Sequence, residues 1–431
     1  MAFRVATVNW FGRGVAYGAT PSGPIVQSAT AHASYPPSAL YDGQTSPVCK
    51  WASLGGVYYF DVGLNVIPDG DAEQATVPSA WIVGGGTLTR STAVTPYKGT
   101  YHFALTPPGS GDAFGYVDVT ASAGAYLQFR CAARATASRR ASVRISDRER
   151  SMYLTPAGVW TPTPTNILDQ TAAAWAPATV TEFRVPTYAE WGRTTGQLRV
   201  HLDNVDLGAA GAAYFDEILL YPSGLDVAAF VGHNFPPTSR LQIQSFGDYW
   251  HGGQAADIWN DATGRFLQPT GFKLDVATTI THPFIRVSVS LPNGGTALRY
   301  PQIAELYLGR TVSLPRSVRP DWPIDLSDEQ PRSRTRGGLW AQPDLAYPRR
   351  KFPILLDLAT AEDATLWNVV RDEMAIATQM GAVPCLLLPA TTGEPDACYF
   401  GHFRESMSPT NRVVLRELAW EFEELPVPIV A

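Results

Sequence analysis

Residues 32–63 read HASYPPSALYDGQTSPVCKWASLGGVYYFDVG. Tyr35-Pro36-Pro37 and Asp42-Gly43 are turn chemistry: proline presets φ, and glycine accepts left-handed geometry that other residues resist. Trp51 and the run Val57 to Val62 then supply the aromatic and β-branched side chains that suit a pleated, half-buried surface. The same punctuation runs through the chain, with 37 Gly and 35 Pro in 431 residues. That pattern predicts many short strands joined by turns, not a helical bundle. A composition of 45% hydrophobic and 17% charged residues predicts packed cores, and the length suggests about three domains at roughly 150 residues each.

Working outward, alternating runs fit half-buried strands. They include Ala125-Tyr126-Leu127-Gln128-Phe129-Arg130 and Gly196-Gln197-Leu198-Arg199-Val200-His201-Leu202. Leu225 to Phe246 carries two more around Gly232-His233-Asn234, and Pro283 to Val289 and Ile303 to Gly309 read as closing strands. From Leu314 to Arg336 the chain is rich in Pro, Arg, Asp and Ser, which predicts an extended, solvated connection. Lys351 to Leu358 then reads as a strand. Thr360 to about Met380 reads as the strongest helix: Thr360 and Asp363 approximate a capping box, Leu366, Val370, Met374 and Ala377 recur at helical spacing, and Gly381 is placed to stop it. Strands are expected at Val383 to Leu388, Cys398 to Arg404 and Arg412 to Leu425, making this last region α+β.

Several classes are excluded or disfavoured. A formal net charge of −6 argues against a protein that grips nucleic acid by neutralising phosphates. No apolar run approaches the length of a membrane span. The start, MAFRVATVNWFGRG, lacks a signal-like apolar region, so ordinary secretion is not indicated. Cys49, Cys131, Cys385 and Cys398 form no CxxC pair and have no His at ligand spacing, so zinc or iron–sulfur binding is not expected. Buried free thiols are the simple reading, with a Cys385–Cys398 bridge across a hairpin left open.

The opening stretch resembles discoidin-type, galactose-binding-like β-sandwiches. The residues that carry this are Ser38-Ala39-Leu40-Tyr41-Asp42-Gly43, Trp51-Ala52-Ser53 and Phe60-Asp61-Val62-Gly63. The segment after it resembles jelly-roll carbohydrate-binding modules at both ends: Asn65, Gly70-Asp71-Ala72-Glu73 and Trp81 at its start, Phe215-Asp216-Glu217-Ile218-Leu219-Leu220-Tyr221 at its finish. The expected fold is therefore mainly β. One β-sandwich, residues 1–63 and 223–312, is interrupted by an inserted jelly roll at 64–222. A linker and α+β domain with one long helix follows at 313–431. Sandwich loops tolerate such insertions when the ends of the insert lie close together.

The whole arrangement resembles minor tail and tail-tip (baseplate) proteins of long-tailed bacteriophages. Phe60-Asp61-Val62-Gly63, Leu225 to Asn234, Glu305-Leu306-Tyr307-Leu308-Gly309-Arg310 and the Thr360–Met380 segment carry that resemblance. It implies a non-enzymatic component of the virion tail, assembled in the bacterial host cytoplasm. Its partners would be other tail-tip proteins and the tail tube in a homo-oligomeric ring, with outward modules touching host-surface polysaccharide. The alternatives are a carbohydrate-active enzyme or its accessory glycan-binding protein, and a purely architectural tail protein.

Chemistry-bearing motifs are sparse: the chain has no GxSxG, HExxH, P-loop or GxGxxG in context. Gly84-Gly85-Gly86 reads as a turn. No cofactor is expected beyond one candidate: the module resemblance implies a structural Ca²⁺ held by Glu73 and Asp216, with Asp71 as an additional ligand. Two solvated turns carrying carboxylates are the other reading. Asp69, Asp71 and Glu73 lack the further ligands and flanking helices of an EF-hand. For glycan stacking the candidates are Trp160, Trp175, Tyr188 and Trp191 in the insert, and Tyr249 and Trp250 in GDYWHGG, all of which serve equally as buried anchors. The arginines at 134, 139, 140, 144, 148 and 150 fit either a solvated edge strand or an anionic-glycan site.

Overall fold

The computed structural model describes residues 57–246 except 74–76, 78, 187–189, 191, 193–194 and 237. Beyond these it describes 2–6, 25–27, 49–50, 256–261, 272–275, 283–291, 302–317, 325–327, 333–334, 340–341, 349–358, 384–389, 398–411 and 416–425. Every element among the described residues is a β-strand. None of them is a helix long and apolar enough to cross a membrane.

The middle of the chain forms two antiparallel sheets packed face to face. The first runs in the order Trp160–Thr161, Met152–Leu154, Arg139–Asp147, Thr195–Asp206, Ala113–Ser122 and Ile82–Gly84, with Leu168–Gln170 also paired to Arg139–Asp147. The second runs Ala176–Arg184, Tyr126–Ala135, Ala213–Pro222, His102–Thr106 and Thr87–Ser91. Alternation is clearest along Ala113–Ser122, where buried and outward positions divide core from surface, whereas Ala213–Pro222 is buried at every position. Val117, Val119, Val143, Ile145, Val200 and Leu202 of the first sheet meet Phe103, Leu105, Phe129, Phe183 and Phe215 of the second.

The two ends of this unit lie side by side. Val66 N–H donates to Leu220 O at 2.8 Å, and Ile218 N–H donates to Gly70 O at 2.7 Å. Asn65 Oδ1 accepts from Leu220 N–H at 2.9 Å. The approach is so close that a Cβ on Gly70 would lie 1.8 Å from Ile218 O, which explains the glycine. Just before this segment, strand Val57–Gly63 pairs along its whole length with Phe284–Ser290, far beyond the middle unit in sequence. These two belong to a five-stranded sheet completed by Arg240–Phe246, Ala256–Asp261 and Ile25–Gln27.

A three-stranded sheet, Phe272–Asp275, Val227–Val231 and Glu305–Gly309, lies between two hydrophobic layers. Ala228, Phe230, Leu306 and Leu308 join the core of the sandwiches. Val227, Ala229, Val231 and Tyr307 face the other way, onto Leu386, Leu388, Cys398 and Phe400. Both faces are covered, which is why VAAFV is continuously apolar.

The C-terminal region contributes a seven-stranded sheet in the order Val312–Ser317, Ala2–Ala6, Cys385–Pro389, Tyr399–Asn411, Arg416–Glu424, Arg349–Leu358 and Asp325–Ser327. Two expectations are corrected here. The first strand, Ala2–Ala6, was expected in the first sandwich, yet it pairs with Val312–Ser317 and Cys385–Pro389. Its partners lie hundreds of residues away, and nothing local encodes them. In the stretch 314–336, expected as an extended, solvated connection, the end of strand Val312–Ser317 and the short strands Asp325–Ser327 and Ser333–Arg334 are paired into sheets. The expected helix Thr360–Met380 lies outside the described residues. Cys131, Cys385 and Cys398 are buried free thiols.

Candidate functional site

The outward face of the first sheet is built by pairing register, because residues directly opposite one another share a face. One row across the strands is Gly84, Phe114, Asp203, Ser142 and Asp169. The next is Ile82, Tyr116, His201 and Arg144. The third is Asp118, Arg199, Ser146, Tyr153 and Thr161. Six strands at about 4.8 Å spacing give a face about 24 Å across.

One end of this face is aromatic and apolar. Phe114 is 44% exposed and Ile82 50%, unusually high for large apolar side chains in strands. The rings of Phe114 and Tyr116 lie 6.4 Å apart and within 14° of parallel. The centre is charged and tightly connected. Arg199 grips Asp118 through Nε at 2.6 Å and Nη2 at 2.8 Å, and its guanidinium carbon sits 3.9 Å over the Tyr116 ring. Arg148 reaches Asp118 at 3.4 Å. Those hydrogen bonds and charges hold the Asp118 carboxyl below the usual range. Arg144 sits 3.5 Å from Asp203, whose pKa burial pushes up against the pull of that arginine. His201 lies 3.2 Å from Ser146 Oγ, and burial, with Arg144 and Arg199 nearby, lowers its pKa to about 4. The imidazole is therefore neutral at physiological pH. Chemically this is an aromatic shelf beside an array of fixed donors and acceptors, suited to a polyhydroxylated ligand with one apolar face.

The arginine run resolves into different roles. Strand Arg139–Asp147 is an interior strand, flanked by Thr195–Asp206 on one side and by Met152–Leu154 and Leu168–Gln170 on the other. It is not an edge. Arg139 is fully buried and donates to Gly111 O at 2.8 Å and Gly109 O at 3.2 Å, organising a loop. Arg140 and Arg144 point outward, toward Asp169 and Asp203.

The tryptophan candidates stand elsewhere. Trp160 pairs with the buried Leu154, so register turns it toward the interior; its Nε1–H donates to Arg184 O at 2.9 Å and its ring meets Phe183. Trp175 donates to Thr95 O at 2.8 Å and packs on His102 and Tyr97, anchoring the segment that precedes strand His102–Thr106. Tyr188, Trp191, Tyr249 and Trp250 lie outside the described residues.

Glu73 and Asp216 converge on that same segment, but through amides. Glu73 Oε1 accepts from Thr100 N–H at 2.7 Å and Tyr101 N–H at 2.9 Å. Asp216 Oδ2 accepts from Tyr97 and Lys98 N–H at 2.9 and 3.0 Å, and Oδ1 accepts from Glu217 N–H at 2.8 Å. Burial nonetheless pushes Asp216 up to about 8. Asp71 is raised to about 6 by burial, opposed by a hydrogen bond with Asp69. Among the described residues no group of three or more His, Cys, Asp or Glu is arranged to hold a metal. These contacts of Glu73 Oε1 and of both Asp216 oxygens are to amide hydrogens, which tie the segment 97–101 to the two ends of the unit.

The face residues Phe114, Tyr116, Asp118, Arg199, His201 and Asp203 were not among the sequence candidates. For Phe114, Tyr116 and Asp118 the signal was AFGYVDVT, whose outward positions are aromatic and acidic instead of merely solvated.

No protein-family model matches the chain, and no curated protein matches it. Among solved structures it is similar to the bacteriophage CBA120 tailspike protein 4 enzymatically active domain, at 15% identity and TM-score 0.26 over 37% of this chain and 21% of that one. It is also similar to TmCBM61 in complex with β-1,4-galactotriose, at 15% identity and TM-score 0.24 over 33% of this chain and 89% of that one. A third is the CBM22-1 xylan-binding domain from Paenibacillus barcinonensis Xyn10C, at 12% identity and TM-score 0.26 over 40% of this chain and 97% of that one. At this level of similarity the chain's own residues decide what its sheet face can do.

Proposed function

We propose that the middle unit is a non-catalytic glycan-binding β-sandwich and that its ligand lies across the outward face of the first sheet. The supporting observation is the adjacency of the exposed Phe114–Ile82 shelf to the Arg199–Asp118 and Arg144–Asp203 pairs. An aromatic ring receives the apolar C–H face of a sugar, while guanidinium and carboxylate groups address its hydroxyls. A catalytic role is disfavoured by the commitments of the same groups. Both oxygens of Asp118 are engaged by Arg199, and a histidine lowered to about 4 is a weak base.

The wider role we propose is that of a bacteriophage tail-tip or baseplate component with this module turned toward host-surface polysaccharide. That placement rests on the sequence resemblance around Phe60–Gly63 and Leu225–Asn234. Weak single-site affinity suffices in a ring, since several copies raise the effective concentration. The discontinuous division of the chain, 1–63 with 223–312 around 64–222, is part of the same proposal. It is supported by the pairing of Val57–Gly63 with Phe284–Ser290 and amended by the strand Ala2–Ala6.

Glycan binding is tested by affinity electrophoresis of the full chain in gels containing soluble polysaccharides. Retardation that Arg144→Ala and Phe114→Ala remove supports the face. Retardation untouched by either moves the site elsewhere. The tail assignment is tested by cryo-EM and mass spectrometry of intact particles, and absence of the protein from them overturns it.

A further inference from the structure

The glycan reading leaves open what orients the aromatic shelf, and a glycine across the strand answers it. Gly84 pairs directly with Phe114. A Cβ built on Gly84 would lie 2.3 Å from Cζ of Phe114 and within 2.9 Å of both its Cε atoms. The ring thus leans over the neighbouring strand, and its tip fills the space a side chain at position 84 would need. The three consecutive glycines have separate reasons. Gly85 has φ +67°, and a Cβ on Gly86 would lie 2.5 Å from Thr106 O. Gly84 has no positive φ; the atoms a Cβ would meet there are those of the Phe114 ring.

The other flank of the ring is fixed as well. Tyr116 stands nearly parallel at 6.4 Å, Arg199 covers Tyr116 at 3.9 Å, and Asp118 holds Arg199 bidentately. We infer that Gly84 is a positioning residue: its missing side chain sets the tilt of Phe114, and with it the plane on which the apolar face of a sugar rests. This rests on the glycan reading above. An aromatic ring laid over a cross-strand glycine also steadies a sheet edge, and a purely structural role would move stability and leave affinity alone.

The experiment is affinity electrophoresis of the full chain against xylan, mixed-linkage β-glucan and β-1,4-galactan, paired with thermal unfolding of each variant. With the polysaccharide that retards the wild type, Gly84→Ala is expected to weaken binding about tenfold or more, close to Phe114→Ala, with Tm within about 2 °C of wild type. The double variant is expected to bind no worse than Phe114→Ala alone, because two substitutions acting through one ring are not additive. It also keeps the test open if Gly84→Ala alone is poorly folded, since no ring then collides with the new methyl. Loss of binding in Phe114→Ala with wild-type affinity in Gly84→Ala overturns this inference and leaves the face intact. Wild-type affinity in Phe114→Ala, or no retardation by any of the three polysaccharides, overturns both.

Discussion

Strand Val227–Val231 and strand Ala113–Ser122 are both regular antiparallel strands, yet they play opposite parts. The first is buried at every position, with alternate side chains delivered to two different cores. The second alternates, burying Ala113, Val117, Val119 and Ala121 while presenting Phe114, Tyr116, Asp118 and Thr120. A strand covered on both sides glues layers together and has nothing left to recognise a ligand with. A strand covered on one side keeps a face whose composition is free to become functional. The aromatic and charged outward positions of Ala113–Ser122 therefore say more than the tryptophans, whose size and indole N–H make them good anchors: Trp160 and Trp175 each donate to a backbone carbonyl.

The comparison can be broken from either side. The largest expected effect is at the doubly covered strand, where Phe230→Ala leaves a cavity in a fully buried site. It should cost about 3–5 kcal/mol in denaturant unfolding, while affinity per folded molecule is unchanged. Next comes the latch: Asp216→Ala orphans the N–H groups of Tyr97, Lys98 and Glu217. A loss of roughly 2–3 kcal/mol is expected, with faster hydrogen exchange at those three amides. A local increase confined to other segments would count against the latch.

A pH titration sharpens the account of the second sheet. Burial, with Arg134 nearby, lowers His102 to about 4, and its ring packs between Trp175 and Tyr214. The unfolded chain takes that proton near pH 6.5, the folded chain only near 4. Stability from this group is thus present above about 6.5 and lost as pH falls toward 4, on the order of 1–3 kcal/mol. Asp71 and Asp216, both raised, act in the opposite sense. The check is therefore the Tm of wild type against His102→Phe, a difference that should shift in favour of the variant between pH 6.5 and 4. The smallest stability effect is expected where the ligand effect is greatest. Phe114→Ser, at an exposed position, should change unfolding free energy by no more than about 1 kcal/mol and abolish retardation by polysaccharide. A variant that binds normally would end the idea that the one-sided strand is the functional one.

Local chemistry fixed what is periodic. Alternation in Ala125–Arg130 and Gly196–Leu202 marks strands that the structure contains within Tyr126–Ala135 and Thr195–Asp206. The apolar run at Val227–Val231 marks a strand with no solvent face. Such patterns are legible because side-chain burial follows the two-residue repeat of the pleat. Only the tertiary structure decided which strands meet. Ala2–Ala6 joins the C-terminal sheet, Arg139–Asp147 becomes interior, and Glu73 and Asp216 turn their oxygens to the amides of 97–101. Likewise, only cross-strand register could set Phe114 above Gly84 and Arg199 above Tyr116. AFGYVDVT shows one strand's aromatic and acidic outward side, but which strands lie beside it is set by contacts far apart in sequence, so the partners that complete the face appear only once the chain has folded.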